Sequence, residues 1–174
     1  EDCVIYKADG KELTQIAAMG NKTRRRRELK SALCIPVGQG IVGTVAKTGK
    51  PLLISDTSVD ERYILDDERR FSELAVPIKI GRKVWGVIDS ENPEKHFFTP
   101  LHERVLLTIA NMLSQKIEAI EEQTMKEKLQ KEIVAMNQEL ETRVIEETNR
   151  NIELSKSITD QEKLVTIGEI ASGI

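Results

Sequence analysis

The amino-acid sequence predicts an α+β fold in which β-hairpins and short helices are followed by one long helix. Two pairs of short β-rich runs flank turn signals at Gly10 and Gly81, a pattern typical of β-hairpins. The 67 residues between Pro100 and Gly168 include neither glycine nor proline, and the last of the six aromatic residues is Phe98. We therefore expect a mixed globular part and a long polar helical part.

The first hairpin is predicted from residues 3–8 and 13–19, with Asp9 and Gly10 at the turn. The next segment, 21–30, includes four consecutive arginines at 24–27. A run of like charges is typical of a solvated loop, and a phosphate-binding or membrane-binding patch is the alternative.

Three glycines in the next segment have the spacing of a phosphate-binding loop. Gly38, Gly40 and Gly43 occupy G-x-G-x-x-G positions. A dinucleotide-binding unit also needs a parallel strand before them, a long helix after them and an acidic residue about 20 positions later, and this context is not evident. A tight turn into a short helix at 41–47, which Gly49 caps at its C-terminal end, explains the glycines better.

A buried strand at 52–54 ends near Asp56, a good opener of a turn or helix. Residues 58–73 are strongly charged and are expected to form a short helix and a loop over the rim of the sheet. The second hairpin follows, with strands predicted at 74–80 and 83–89.

Four residues in and after this hairpin indicate local features of the backbone. Pro77 marks a sheet edge or a bulge, and Gly86 marks a close approach of two backbones. Thr99 and Pro100 are suited to the N-cap and to the first position of a helix.

Taken together, residues 1–120 resemble a GAF domain. Its marks occur in order: Gly-x-Gly-Ile-x-Gly at 38–43, Thr-Gly-Lys-Pro at 48–51, Asp56, Ala-Val-Pro-Ile at 75–78 and Trp-Gly-Val-Ile-Asp at 85–89. The resemblance implies a sheet of about six antiparallel strands, helices on both faces, and a small-molecule pocket between the sheet and the loops.

Polar groups that face such a ligand are expected from the segment after Asp56 and from the turn into the next strand. The candidate ligand-binding residues are Asp56, Tyr63, Ser72 and Glu73. The alternative is structural, with these side chains capping helices and pairing with Arg62 or Arg70.

The resemblance does not choose the ligand, because GAF domains bind cyclic nucleotides, tetrapyrroles, haem or small acids. Members that bind cyclic nucleotides carry an Asn-Lys pair, and then Phe, three residues and Asp-Glu. Here Asn92 precedes proline, and Phe98 is followed after three residues by His102 and Glu103, which is half of the motif. Cys34 lacks the context of a bilin-binding cysteine and is expected to be buried and structural. His96 and His102 are expected to be exposed rather than haem ligands. The cofactor is therefore unknown, and no metal site is predicted.

From Leu101 onward, apolar residues recur at helical spacing. The stripe continues as Met125, Leu129, Ile133, Met136, Leu140 and Val144. Because pairs of four-residue steps occur twice, the repeat is not a regular heptad, and the supercoil is expected to relax there. A helix about 110 Å long is expected to bury this stripe against a second copy in parallel.

The stripe becomes polar between Thr148 and Ser155, which is expected to be its weakest part. A weak segment between two better-packed ones suits transmission of a twist or a register shift. A plain spacer is the alternative.

The last residues resemble the opening of the dimerisation and phosphoacceptor helix of sensor histidine kinases. Residues 164–174 follow the pattern Leu-x-x-x-Gly-Glu-(Leu/Ile)-Ala-x-Gly-(Ile/Val). In that family the run leads directly into the phosphoacceptor histidine, which is therefore expected just beyond Ile174. No catalytic residue is predicted within this chain, and ATP and Mg²⁺ are expected in the parent kinase.

The resemblances imply the input and transmission region of a two-component sensor histidine kinase. Residues 1–120 would be the GAF sensor, 121–160 the signalling coiled-coil linker and 161–174 the start of the phosphoacceptor helix. A small-molecule or redox cue would be relayed through a homodimer to histidine autophosphorylation and then to a response regulator. The alternatives are a GAF regulatory module of a transcription activator, phosphatase or cyclic-dinucleotide enzyme, and a structural dimerisation module with a collapsed pocket.

Composition argues against two further classes of function. The net charge of −3 disfavours a nucleic-acid-binding surface. No apolar run approaches the roughly 20 residues of a membrane span. A cytoplasmic location is expected, in a parent kinase that is either cytoplasmic or membrane-tethered.

Overall fold

The computed structural model describes residues 2–20, 33–65 and 68–172, and the arginine run at 24–27 lies outside them. The chain divides into two units, Glu1–Glu121 and Glu122–Ile174. The first unit contains the sheet. The second consists of the continuation of the last helix.

The sheet has six strands, and every pair of neighbours is antiparallel. The strands are β1 (Asp2–Asp9), β2 (Glu12–Met19), β3 (Cys34–Pro36), β4 (Leu52–Ile54), β5 (Ser72–Ile80) and β6 (Lys83–Asn92). Their order across the sheet is β3-β2-β1-β6-β5-β4. The predicted α+β fold and both predicted hairpins are confirmed, and β6 extends three residues beyond the expected end at 89.

Among the described residues, two helices and a short 3₁₀ turn accompany the sheet: α1 (Gly40–Thr48), the turn Thr57–Val59 and α2 (Pro100–Ser172). Gly49 ends α1 as predicted, since it has a φ of 63° and its N–H donates to the carbonyl of Val45 at 2.8 Å. Thr99 caps α2 reciprocally with His102. The His102 N–H donates to Thr99 Oγ1 at 3.5 Å, and the Thr99 N–H donates to His102 Nδ1 at 3.1 Å.

The sheet separates two apolar cores, because alternate residues of each strand face opposite sides. The core on the α1 side contains Val4, Tyr6, Leu13, Ile35, Ile41, Val42, Val45, Ala75 and Val87. The core on the other side contains Leu74, Val76, Ile78, Ile88 and Ala110, the last from the first part of α2. Helices therefore cover both faces of the sheet.

Pro77 lies where the prediction of an edge or a bulge places it. Pairing between the described strands β4 and β5 ends at Ala75, so Pro77 lies where β5 forms the edge of the sheet. The register between β5 and β6 shifts immediately afterwards, between Ile78 and Lys79. A residue without an N–H group is tolerated at such a position.

Gly86 lets β6 approach β1 closely, because a Cβ there would lie 2.2 Å from the main-chain oxygen of Tyr6. We expect Gly86→Ala to lower the free energy of unfolding by about 3 kcal/mol, since backbone atoms cannot move aside as a side chain can. The matched control is Gly10→Ala, where the space is open but φ is +63° and the loss is about 1 kcal/mol. Urea denaturation measures both, and equal losses would contradict the steric explanation.

Candidate functional site

Three carboxylates share the α1 face of the sheet. Glu73 on β5 lies directly opposite Glu91 on β6, and Asp89 is two residues before Glu91 on the same strand. Residues two apart on a strand face the same side, and opposite residues have Cβ atoms about 5 Å apart. Each of the three residues is only 3–4% exposed. The sheet therefore holds a compact group of buried acids.

These carboxylates line a small cavity in the first unit. The remaining lining residues are Tyr6, Leu33, Ile35, Gly40, Ile41, Val42 and Ile64. The cavity volume is about 20 Å³, which is room for about one water molecule. In this conformation the acidic cavity is closed to any larger ligand.

Ile64, in the segment between β4 and β5, covers the acidic cavity at the start of α1. A Cβ added to Gly40 would lie 2.6 Å from Ile64 Cδ1. Gly40 also has a φ of +69°, a conformation that favours glycine. Glycine is therefore needed here both for the turn into α1 and for the space that Ile64 occupies.

Arg70 fastens this covering segment to the rest of the sheet. Its main-chain N–H donates to Tyr63 Oη at 3.0 Å, and its carbonyl accepts from Thr57 Oγ1 at 2.5 Å. Its buried guanidinium donates to the buried carboxylate of Asp2, at the start of β1. Removing one partner of a buried ion pair leaves an uncompensated charge and costs about 3–5 kcal/mol. Arg70 thus connects the cover of the acidic cavity to the first strand.

The structure brings one of the four predicted ligand-binding residues, Glu73, to the acidic cavity. Asp56 instead accepts hydrogen bonds from Ser58 at the 3₁₀ turn and pairs with Lys95 at 2.7 Å. The Ser72 hydroxyl donates to the carbonyl of Glu94 at 2.7 Å. Tyr63 accepts the hydrogen bond from Arg70. These three side chains hold the loops around the cavity.

Sequence reasoning missed Asp89 and Glu91. The signal that could have found them is the spacing of two acids two residues apart in a strand, which puts both on one face. That signal becomes specific once the register of the hairpin places Glu73 opposite Glu91. The pairing register is the step that the sequence pattern alone did not supply.

Arg62 is a cation near this group of acids. Its guanidinium pairs with Asp60 at 2.7 Å. The hydrogen-bonded Asp60 carboxylate, and to a smaller extent the charge of Glu73, raise the pKa of Arg62. In return, the hydrogen bond from Arg62 lowers the pKa of Asp60.

Neither cysteine of the chain lines the acidic cavity. The expectation that Cys34 is buried is wrong. Its neighbour Ile35 takes the inward side of β3, which leaves Cys34 exposed with its Sγ 3.8 Å from Thr14 Oγ1. Cys3 packs against the core on the α2 side, where burial raises the pKa of its thiol. A thiol nucleophile is thus not part of this cavity.

Both histidines of the chain are exposed, as expected. Within the described ranges, no group of three or more His, Cys, Asp or Glu residues has an arrangement that could hold a metal ion. Likewise, none of the helices in the part of the chain that the structure covers has the length and apolar character needed to cross a membrane.

Comparison with known proteins places the first unit in a family. The GAF domain family model matches residues 1–117. Protein YtsP of Bacillus subtilis is 32% identical over 89 residues, which are 51% of this chain and 55% of YtsP. The chain thus spans about half the length of this curated relative.

Solved structures share the fold at low sequence identity. The GAF domain of a phosphoenolpyruvate-protein phosphotransferase from Coxiella burnetii is 20% identical, with a TM-score of 0.61 over 70% of this chain and 74% of that one. The free methionine-R-sulfoxide reductase from Neisseria meningitidis, solved in complex with its substrate, is 22% identical, with a TM-score of 0.60 over 68% and 67%. At these identities the likeness establishes the fold alone.

Lys95 stabilises the charged form of the Asp56 carboxylate. The hydrogen bond from Lys95, followed by that from Ser58, lowers the pKa of Asp56 to about 2. We expect Lys95→Met to raise this pKa towards the ordinary value of about 3.9, as measured by NMR titration of the side-chain carboxyl carbon. Lys79→Met, a substitution of a lysine on β5, is the control and should leave the Asp56 pKa unchanged.

This lowered pKa has a consequence for stability. A carboxylate whose pKa is lower in the folded state stabilises that state above the unfolded pKa, and the contribution is lost as pH falls through the folded pKa. The wild type should therefore lose more stability than Lys95→Met between about pH 4 and pH 2. Identical Asp56 pKa values in the two proteins would contradict the assignment.

Gly40 and Ile64 should be energetically coupled. We expect Gly40→Ala to lower the free energy of unfolding by about 2–3 kcal/mol, from the left-handed φ and the contact with Ile64 together. In an Ile64→Ala background the loss should shrink by about 1 kcal/mol, because only the contact is relieved. A double-mutant cycle in urea measures this coupling, and additive losses would mean that Ile64 does not occupy the space above Gly40.

Proposed function

The chain belongs to the GAF domain family, and on that premise we propose that it is the sensor and signal-transmission region of a two-component histidine kinase. The observation that carries the proposal is the extent of α2. This one helix begins in the sensor unit at Pro100 and continues through Ser172, into the run that resembles the phosphoacceptor helix. The family supplies a regulatory sensor module, and the helix supplies a direct covalent connection to an output.

The acidic cavity supports a small ligand that carries a positive charge. Three buried carboxylates line this cavity, and their acidic character favours a cationic group such as an ammonium over an anionic one. An amino acid offers such an ammonium group, and the free methionine-R-sulfoxide reductase described above is a protein of this fold that was solved with its substrate. Because neither cysteine lines the cavity, the proposed activity is binding rather than reduction.

Binding requires the covering segment to move. A cavity of about 20 Å³ admits about one water molecule, so an amino acid must displace Ile64. Binding of this kind selects an open conformation at the expense of the closed one. That shift in population is the proposed input signal.

The proposed relay depends on a homodimer that forms through the second unit. Six side chains of the apolar stripe are 50–64% exposed: Met125, Leu129, Ile133, Met136, Leu140 and Val144. Burying about 100 Å² at each of them in both copies gives about 1,200 Å², the size of a stable interface. In the parent kinase the paired helices would present a histidine to ATP and Mg²⁺, and the phosphoryl group would pass to a response regulator.

A GAF regulatory module of a transcription activator, phosphatase or cyclic-dinucleotide enzyme is the alternative proposal. The sensor unit fits this alternative equally well. The run at 164–174 discriminates between them, because its pattern of Gly-Glu followed by Ile-Ala is that of the kinase helix. Sensor and output are separate questions, and the two predictions below test them separately.

Ligand binding should depend on the buried carboxylates. We expect free methionine sulfoxide to raise the melting temperature, and a concentration 100 times the Kd to stabilise the fold by about 2.7 kcal/mol. N-acetylmethionine sulfoxide, which lacks the ammonium group, should not do so. Glu91→Gln should weaken the effect, whereas Glu94→Gln, a change at an exposed position, should not. Equal stabilisation by both compounds would contradict an ammonium-binding cavity.

The kinase assignment makes a prediction about the gene and about its product. The codons that immediately follow Ile174 should encode a histidine, and the longer protein should autophosphorylate with labelled ATP. The phosphoryl bond should be labile to acid and stable to base, as expected of phosphohistidine. Replacing that histidine with glutamine should abolish labelling, and a sequence without a histidine there would exclude the kinase.

A further inference from the structure

The helix between Val144 and Val165 has two overlapping apolar stripes. The first stripe contains Val144, Asn151, Ile158 and Val165, and the second contains Ile145, Ile152 and Thr159. Both repeat every seven residues, which is the spacing of a coiled-coil seam. A coiled-coil seam has two positions in each heptad, three and four residues apart. The second position is the same for both stripes, and these companion positions are Thr148, Ser155 and Glu162.

We propose that this segment pairs in parallel with a second copy of the chain through either stripe, and that the two pairings are alternative states of the helix. The inference rests on the homodimer of the proposed function. Successive helical residues are about 100° apart. The two stripes share their companion positions and differ by one residue at the others. Exchanging one stripe for the other therefore moves the centre of the seam by half of this angle, which is a rotation of about 50° about the helix axis. Rotation of a packed helix between two arrangements is an established form of switching.

Neither stripe is complete, and their composition is balanced. The first has three apolar residues but is interrupted by Asn151, a polar residue that lowers the stability of a seam. The second has two isoleucines and then Thr159. The large apolar side chains of both stripes are 49–61% exposed, so each has a similar area to bury against a partner. Because each arrangement of the seam includes a polar interruption, neither arrangement has a decisive advantage in stability.

The segment before Val144 differs, because it has one dominant stripe. Positions one residue after its stripe are mostly polar: Lys126, Gln130, Asn137 and Glu141, with Val134 as the apolar exception. A rotation there would bury charged groups. The upstream helix is therefore the fixed part of the pair, and the alternation is confined to the region beyond it.

The threonines of this segment are compatible with either arrangement. Thr148 Oγ1 donates to the carbonyl of Val144 at 2.7 Å, and Thr159 Oγ1 donates to the carbonyl of Ser155 at 3.0 Å. Because each hydroxyl is satisfied within its own helix, the threonine can face an apolar partner without an unpaired donor. Thr148 is also small, so its side chain fits the shared position in both arrangements of the seam.

The partner of this segment is a second copy of the chain, because the segment continues the apolar stripe that ends at Val144. Five exposed apolar residues before it, and Val144 at its start, would be buried by a partner helix of matched length, which a copy in parallel register provides. Rotation at 144–165 is then passed to residues 166–172 through the continuous backbone of α2. The alternative seams would thus change how the phosphoacceptor run is presented.

Cysteine cross-linking of the full chain tests the alternation. In a Cys3→Ser, Cys34→Ser background, Val144→Cys reports the first stripe and Ile145→Cys the second. Arg150→Cys, on the opposite side of the helix, is the control. We expect comparable disulfide yields at 144 and 145, within about threefold, and at least about tenfold less at 150.

Two further substitutions should shift the balance in opposite directions. Asn151→Leu completes the first stripe and should raise the ratio of the 144 to the 145 cross-link by about threefold or more. Thr159→Ile completes the second stripe and should lower this ratio by a similar factor. Both positions are exposed on the helix of one chain, so these changes do not disturb the sensor core.

The outcomes separate this inference from the proposed function. A monomer in light scattering would overturn both the homodimer and the alternative seams. A dimer that cross-links at only one of 144 and 145 would overturn the alternation and leave the homodimer standing. An unchanged ratio in both Asn151→Leu and Thr159→Ile would do the same, whereas opposite shifts would support two seams.

Discussion

Burying three carboxylates at adjacent inward positions of β5 and β6 is the constraint on which the rest of the sensor unit depends. Apolar residues in place of Glu73, Asp89 and Glu91 would pack the α1 face of the sheet at a lower cost in free energy, because charged groups lose their hydration there. The three carboxylates line a cavity with room for about one water molecule, the cation Arg62 lies near enough to Glu73 to feel its charge, and Ile64 covers the cavity. Local rules of folding are broken in this way at functional or strained sites, and the proposed ligand would make this cavity one of the functional ones.

The same strands connect the acidic cavity to helix α2. Glu73 faces the cavity, while its neighbour Leu74 belongs to the core that contains Ala110 of α2. Asp89 and Ile88 have the same relation on β6. Because cores are close-packed, a displacement of these strands on one face must be accommodated on the other. A ligand that moves the cover can therefore affect the start of α2 without touching it.

Much of the fold was predictable because its signals are local. Gly49 and Thr99 mark helix ends through capping chemistry, and Pro77 and Gly86 mark a sheet edge and a close approach through the backbone alone. The acidic cavity was only partly predictable. Glu73 was identified from its position before a strand, but Glu91 joins it only through pairing across two strands. Cys34 was misassigned for a related reason, since which face of the short strand β3 is buried depends on the neighbouring strand.

The second unit depends on a different source of stability. The contacts described for its helix within one chain are local, such as the hydrogen bond between Gln123 and Glu127 at 2.7 Å and the loose pair of Lys163 with Asp160 at 3.8 Å. Pairs of this kind contribute only about 0.2–0.5 kcal/mol each, and helices in water owe most of their stability to packing. In the proposed homodimer, the stability of this helix comes from packing against the partner helix. The same packing then sets the rotation of the helix, so the proposed alternation beyond Val144 would respond to a change in the sensor unit.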